Sequence, residues 1–282
     1  MKTIRIIPRL DIKGPNVVKG IHLEGLRVMG SPAEFASYYY ENGADELMFV
    51  DLVASLYERN SLHKIISETA KSIFIPLTVG GGIRNLDDIK DVLRAGADKV
   101  CLNTAAIKNP DIIKQAAQRF GSSTIVIAIE AIKESSSNYL AYTDNGREYT
   151  GINVLNWAKQ VEELGAGEIV ITSVDKEGTG EGFDYDLVKM ISECVSIPVI
   201  AHGGAGKKED VETVIKESAA DAVALSSILH YEYIANNITN AHSTNEGNTE
   251  FLKSKRSFNN LNTTTLLEIK NHLISNGISC RI

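Results

Sequence analysis

The stretch Ile75–Thr104, IPLTVGGGIRNLDDIKDVLRAGADKVCLNT, returns at Ile197–Ser227 as IPVIAHGGAGKKEDVETVIKESAADAVALSS, and this internal echo decides the fold. Each copy predicts a strand after an Ile-Pro start, a glycine loop, an amphipathic helix, and a second strand ending in small hydroxyl or amide residues. Asn85 with Asp88 three residues on opens the first helix, and Ile89, Val92 and Leu93 follow at helical spacing. Gly81 and Gly82 align with Gly203 and Gly204, and Asn103 and Thr104 with Ser226 and Ser227. Glycines at a strand-to-helix turn let backbone approach a ligand, and the unpaired N–H groups of a helix start favour phosphate. A single glycine loop is as well explained by turn geometry. Two loops with matching distal ends point to two phosphate sites.

Outward from the echo, strands and helices alternate. Ile4–Leu10 predicts a first buried strand delivering Asp11 at its end, followed by a loop punctuated by Gly14, Gly20, Gly25 and Gly30 around Lys19, which could serve as a lid. Ser31-Pro32 opens a helix ending at Gly43, Glu46–Asp51 is a second strand, and Ser61–Lys71 its helix. Asn109-Pro110 starts a further helix, and a fifth strand, Thr124–Ile129, ends in Glu130. Tyr139–Tyr149 alternates around Asp144-Asn145-Gly146, the pattern of a hairpin with a type I′ turn. A helix at Asn153–Leu164 and a strand at Glu168–Ser173 follow. Tyr231–Asn262, rich in Asn, Ser and Thr, predicts a polar surface insertion before a last helix at Thr265–Ser275.

The echo extends further, since Gly43-Ala44-Asp45-Glu46 matches Gly165-Ala166-Gly167-Glu168. Two halves of four βα units each make one (β/α)8 barrel of 1–282, with ligand chemistry at the C-terminal ends of its strands. Asp11 and Glu130 then face each other across that mouth, between the two glycine loops. The expected ligand is elongated, with a phosphate at each end.

Composition sets further bounds. A formal net charge of -7 at pH 7 argues against a general binder of nucleic acid or acidic membranes. Three widely spaced cysteines, Cys101, Cys194 and Cys280, without a CxxC pair, fit a reducing cytoplasm and no structural metal. The first apolar run is cut by Arg9 and Asp11 before signal-peptide length, and no run is long enough to span a membrane.

RLDIKGPNVVKG, VGGGIRNLDD, LNTAA, GAGEIVITS and GGAGK closely resemble the cyclase subunits of imidazole glycerol phosphate synthases, over the chain outside Tyr231–Asn262. The resemblance implies a lyase of histidine biosynthesis that takes ammonia from a glutaminase partner, as a heterodimer. With that ammonia it converts a bisphosphorylated ribulosyl-formimino carboxamide ribonucleotide to imidazole glycerol phosphate and an aminoimidazole carboxamide ribotide, without a cofactor. By position, Asp11 resembles the family's first catalytic aspartate and Glu130 stands where the second is found. Lys19, Gly81, Gly82, Asn103, Thr104, Thr172, Gly178, Gly203, Gly204, Ser226 and Ser227 are implied in substrate binding. Arg5, Glu46, Lys99 and Glu168, each at a strand start, match the family's charged ring that gates ammonia entry. Such charges also commonly pair to satisfy strand starts. Asp98 beside Lys99 is either a partner contact or a solvated charge.

Three departures stand out: Glu130 and Glu177 where aspartates are usual, and His202 where a small serine is expected. Two other readings share parts of the pattern. The sister isomerase of histidine biosynthesis has the same half-barrels and two phosphate sites, and a paralogue that has lost the histidine reaction would dock a glutaminase, either using its ammonia to amidinate a surface-polysaccharide sugar or serving as a non-catalytic barrel that activates it.

Overall fold

The strand expected at Ile4–Leu10 runs over Arg5–Lys13 (β1), and the rest of the chain closes around it. The computed structural model describes residues 2–53, 62–135, 138–237 and 261–282. After β1 come β2 (Asn16–Ile21), β3 (Glu24–Gly30), α1 (Pro32–Glu41), β4 (Leu47–Asp51), α2 (His63–Thr69), β5 (Leu77–Gly80), α3 (Leu86–Ala95) and β6 (Lys99–Leu102). The middle holds α4 (Thr104–Lys108), α5 (Asp111–Phe120), β7 (Ile125–Ser135), β8 (Asn138–Thr143), β9 (Glu148–Asn153), α6 (Val154–Glu163) and β10 (Glu168–Ser173). Last are α7 (Tyr185–Ser192), β11 (Val199–His202), α8 (Lys208–Ser218), β12 (Ala222–Leu225), α9 (Ser227–Asn237) and α10 (Leu266–Ser275).

Strands β1, β4, β5, β6, β7, β10, β11 and β12 pair in parallel in that order, and β12 pairs back to β1, which closes the (β/α)8 barrel. Two apolar layers result. One fills the space between strands and helices. The other is the barrel interior, built from Ile7, Met48, Cys101, Val126, Val170, Ile200, Ala222 and Ala224. Period-two alternation on β1 therefore points Arg5, Ile7, Arg9 and Asp11 inward, from the bottom of the barrel to its mouth.

The echo is visible as local chemistry. Asn85 caps α3, its side chain accepting from the N–H groups of Asp87 and Asp88 at 2.9 Å each. Asp45, Asp98 and Asp221 each accept the first free N–H of a neighbouring strand, from Ile6, Leu77 and Val199 at 2.8, 2.8 and 2.9 Å. Asp98, expected as a partner contact or a solvated charge, is exposed and in addition caps β5 through one carboxylate oxygen. Gly81 and Gly203 have φ of 93° and 95°. A Cβ on Gly81 would collide with the Asp51 carbonyl, and one on Gly203 would lie 2.7 Å from the Ser173 carbonyl. These glycines are required by the crowding of strand ends as well as by the turn.

Three expectations are corrected. The expected lid loop is a β2–β3 hairpin paired to β1, turning at His22 and Leu23. Strand five continues past Glu130 to Ser135, because residues 130–135 pair with β8 of the expected hairpin. That hairpin is present, with φ of 54°, 64° and 76° at Asp144, Asn145 and Gly146. The expected insertion at Tyr231–Asn262 begins as helix, since Tyr231 to Asn237 complete α9. Tertiary contacts favour this helix: the His230 Nδ1 lies 2.6 Å from the Tyr39 hydroxyl, and Tyr233 packs edge-on to Phe35 at 4.6 Å. Residues 238–260 lie outside the described residues, as does Ser61 of the expected second helix.

Candidate functional site

At the mouth, the expected residues fall into two groups, one around each glycine loop. Gly81, Gly82, Asn103, Thr104, Glu130 and Thr172 line one cavity of about 300 Å³, joined by Arg9 and the turn residues Asp144 and Asn145. Arg84 and Lys108 on its rim supply positive charge beside the glycine loop. The second group, Lys19, Gly178, Gly203, Gly204, Ser226 and Ser227, surrounds a cleft of only about 20 Å³ together with Glu177 and His202.

The difference in room has a definite cause. Glu177 Oε1 pairs with the Lys19 ammonium, and Glu177 Oε2 accepts the Leu23 N–H at 2.8 Å. The Glu177 carbonyl accepts the His22 N–H at 2.9 Å. These contacts clamp the β2–β3 hairpin onto the loop after β10, and the Gly182 N–H reaches the Gly204 carbonyl at 2.8 Å across the second glycine loop. Ser226 donates its hydroxyl to the Arg9 carbonyl at 2.8 Å.

The two carboxylates stand on β1 and β7, which are diametrically opposite in the strand order. Their surroundings differ. Asp11 is buried and accepts from Arg9 Nε at 2.9 Å, with the Lys19 ammonium 3.9 Å from its other oxygen. Glu130 Oε2 accepts the Gly146 N–H at 2.8 Å. Burial pushes the Glu130 carboxyl up to about 7, against the opposing pull of the Gly146 N–H, Arg9 and Asn103, with Asp144 adding to the rise. One mouth thus holds the Asp11 carboxyl paired with Arg9 and Lys19, and a Glu130 carboxyl raised into the range where it gives and takes a proton near neutrality, as acid–base catalysis requires.

Sequence reasoning missed Arg9. It reaches past β12 to His202 Nδ1 on β11 at 3.2 Å, and the same nitrogen lies 3.1 Å from the Thr172 hydroxyl on β10. Arginine only donates, so His202 Nδ1 is the unprotonated ring nitrogen. Burial, then Arg9 and Lys19, hold this histidine well below its ordinary pKa, hence neutral. The signal was available: on an inward-facing strand, Arg9 shares its face with Arg5 and Asp11. His202, where a serine was expected, supplies the acceptor that the buried guanidinium needs. Asp144 and Asn145 were also read only as turn residues, although the turn dips into the mouth and Asn145 Nδ2 donates to the Leu52 carbonyl at 2.6 Å.

At the opposite end of the barrel, Arg5, Glu46, Lys99 and Glu168 form a closed ring. Arg5 reaches Glu46 at 2.8 Å and Glu168 at 3.1 Å, and Lys99 reaches the same two carboxylates at 2.9 and 3.1 Å. The Thr78 hydroxyl donates to the other Glu46 oxygen at 2.5 Å. Every link joins a cation to two anions, so opening one contact leaves each charge with a partner.

Comparison with known proteins agrees in direction. A family model described as histidine biosynthesis protein matches residues 5–235. The chain is 58% identical over 210 residues to the imidazole glycerol phosphate synthase subunit HisF of Legionella pneumophila, covering 74% of this chain and 99% of that protein. It is 52% identical over 232 residues to the subunit of the same name from Prochlorococcus marinus (strain MIT 9515), covering 82% and 90%. For that of Methanocaldococcus jannaschii the identity is 48% over 250 residues, covering 82% and 92%.

Proposed function

The chain belongs to the histidine biosynthesis protein family, and from that premise we propose that it acts as the cyclase subunit of an imidazole glycerol phosphate synthase. It cleaves and cyclises a bisphosphorylated ribulosyl-formimino aminoimidazole carboxamide ribonucleotide with ammonia. The products are imidazole glycerol phosphate and aminoimidazole carboxamide ribotide. The names of the relatives favour this reading over the isomerase and the sugar-amidinating paralogue.

The observation that carries the mechanism is the placement of Asp11 and Glu130 on opposite strands of the barrel, between two glycine loops. The loop at Gly81-Gly82, with Asn103 and Thr104, holds one phosphate, and the loop at Gly203-Gly204, with Ser226 and Ser227, holds the other. Opening the second cleft requires the Lys19–Glu177 clamp to yield, which delivers the lysine to the substrate. Glu130, protonated near neutrality, gives a proton to an oxygen of the reacting centre. Asp11, already ion-paired, takes one from the incoming nitrogen.

The partner is a glutaminase, a reading supported by the relatives' designation as subunits and by the charged ring at the far end. Ammonia entering there meets the ring of Arg5, Glu46, Lys99 and Glu168, then the apolar interior, then the mouth. An uncharged molecule crosses such an interior far more cheaply than an ammonium ion, for which desolvation costs several kcal/mol or more. The test is conversion of the bisphosphate by the purified chain with an ammonium salt, and its loss in Asp11→Asn.

A further inference from the structure

The mechanism so far gives no role to the buried guanidinium of Arg9. Arg9 is 5% exposed, and burying a guanidinium is costly unless it is paired and hydrogen-bonded. Two of its nitrogens are accounted for, Nε by Asp11 and Nη1 by His202. Among the described residues Nη2 has no hydrogen-bond partner, yet it is not sealed from solvent, and Arg9 lines the cavity that holds the first glycine loop. On the other side its backbone carbonyl accepts from Ser226, which follows β12 and lines the second cleft. Arg9 therefore lies between the two phosphate ends and between the two carboxylates. Its orientation is fixed by Asp11 on its own strand and by His202 two strands away on β11.

We propose that Arg9 is a further catalytic residue, whose Nη2–H donates to the carbonyl oxygen at the middle of the bisphosphate substrate and stabilises the negative charge that develops there as ammonia adds. This rests on the cyclase reading above. In the step, the ammonia nitrogen bonds to the carbonyl carbon while the π pair moves to oxygen, and Arg9 keeps its proton throughout. Glu130 protonates that oxygen, and Asp11 takes a proton from the nitrogen. Asp11 then returns its proton as the oxygen leaves in water, and the iminium nitrogen gives the last proton back to Glu130, leaving imine, water and both carboxyls as they began. A fixed donor aimed at a developing oxyanion in a water-poor site lowers the barrier without reorganisation, and losing one such donor typically costs 100- to 1000-fold, roughly, in kcat.

The test compares wild type, Arg9→Met and Arg9→Ala on the bisphosphate substrate with saturating ammonium salt, with thermal unfolding recorded alongside. The expected result is a fall in kcat of about 100-fold or more in Arg9→Met, with KM changed far less because the phosphates carry the binding. Guanidinium chloride at millimolar concentration should restore part of the kcat of Arg9→Ala, in a saturable way, whereas a purely structural role would give no such rescue. Turnover by wild type with Arg9→Met within a few-fold of it would overturn the role of Arg9 alone. So would a loss in Arg9→Ala that guanidinium leaves untouched while the protein stays folded. Wild type without turnover would overturn the cyclase reading, and the role of Arg9 in it.

Discussion

Replacing Glu130 by glutamine tests the charge state of the site without touching substrate. The Glu130 carboxyl sits at about 7 in the fold against an ordinary 4.5, mainly through burial. The folded state therefore holds this proton more tightly than the unfolded chain does. Between pH 4.5 and 7 the unfolded chain ionises first, so stability falls as pH rises through that window. Above it the ionised group costs the fold at most about 3 kcal/mol, at about 1.4 kcal/mol for each tenfold change in proton affinity. Glutamine keeps an oxygen for the Gly146 N–H, which lies 2.8 Å from Glu130 Oε2, and removes the titration. The stability of Glu130→Gln relative to wild type should therefore grow from pH 4.5 to pH 8. That corresponds to a Tm difference widening by about 6 to 12 °C at most, taking about 2 to 4 °C per kcal/mol for a chain of this size. Urea unfolding followed through the buried Trp157 at a series of pH values measures it. Parallel stability curves for the two proteins would refute a carboxyl raised by burial, and with it the general-acid role of Glu130.

Two further predictions concern the ends of the route. Lys99→Met or Glu168→Gln, which break the ring at the bottom, should lower glutamine-dependent turnover in the assembled enzyme more than turnover with free ammonium salts, and equal losses in both assays would make the ring structural. A ligand with one phosphate should bind at least about tenfold more weakly than the bisphosphate by calorimetry, since a lost charge-assisted contact is worth about 1.5 to 3 kcal/mol. Equal affinities would exclude paired phosphate loops.

The barrel was legible because its evidence repeats. Glycines at 81, 82, 203 and 204, a capping asparagine at 85 and matched strand ends are local signals that tertiary structure only confirms. The β2–β3 hairpin was not legible for the opposite reason. Its turn uses His22 and Leu23, with φ of 52° and 61°, where glycine or asparagine would ordinarily stand. The turn is held from outside, by Glu177 and by a contact of 2.8 Å between His22 Nδ1 and the Val174 carbonyl. No window of sequence around it contains that information. The end of α9 was hidden likewise, since the polar run after Tyr231 obscures aromatic packing against α1. Arg9 is a different case. Its inward direction followed from alternation with Asp11, but a charge within an apolar strand was read as an interruption, and its acceptor, His202, lies 193 residues away.

The measurement that bears most directly on the central claim is turnover of the bisphosphorylated ribulosyl-formimino carboxamide ribonucleotide by the purified chain with an ammonium salt, product formation being followed chromatographically. The account predicts imidazole glycerol phosphate and aminoimidazole carboxamide ribotide in equal amounts from wild type, and a loss of about 100-fold or more in Asp11→Asn with its fold intact. Wild-type protein that binds the bisphosphate but forms neither product would contradict it.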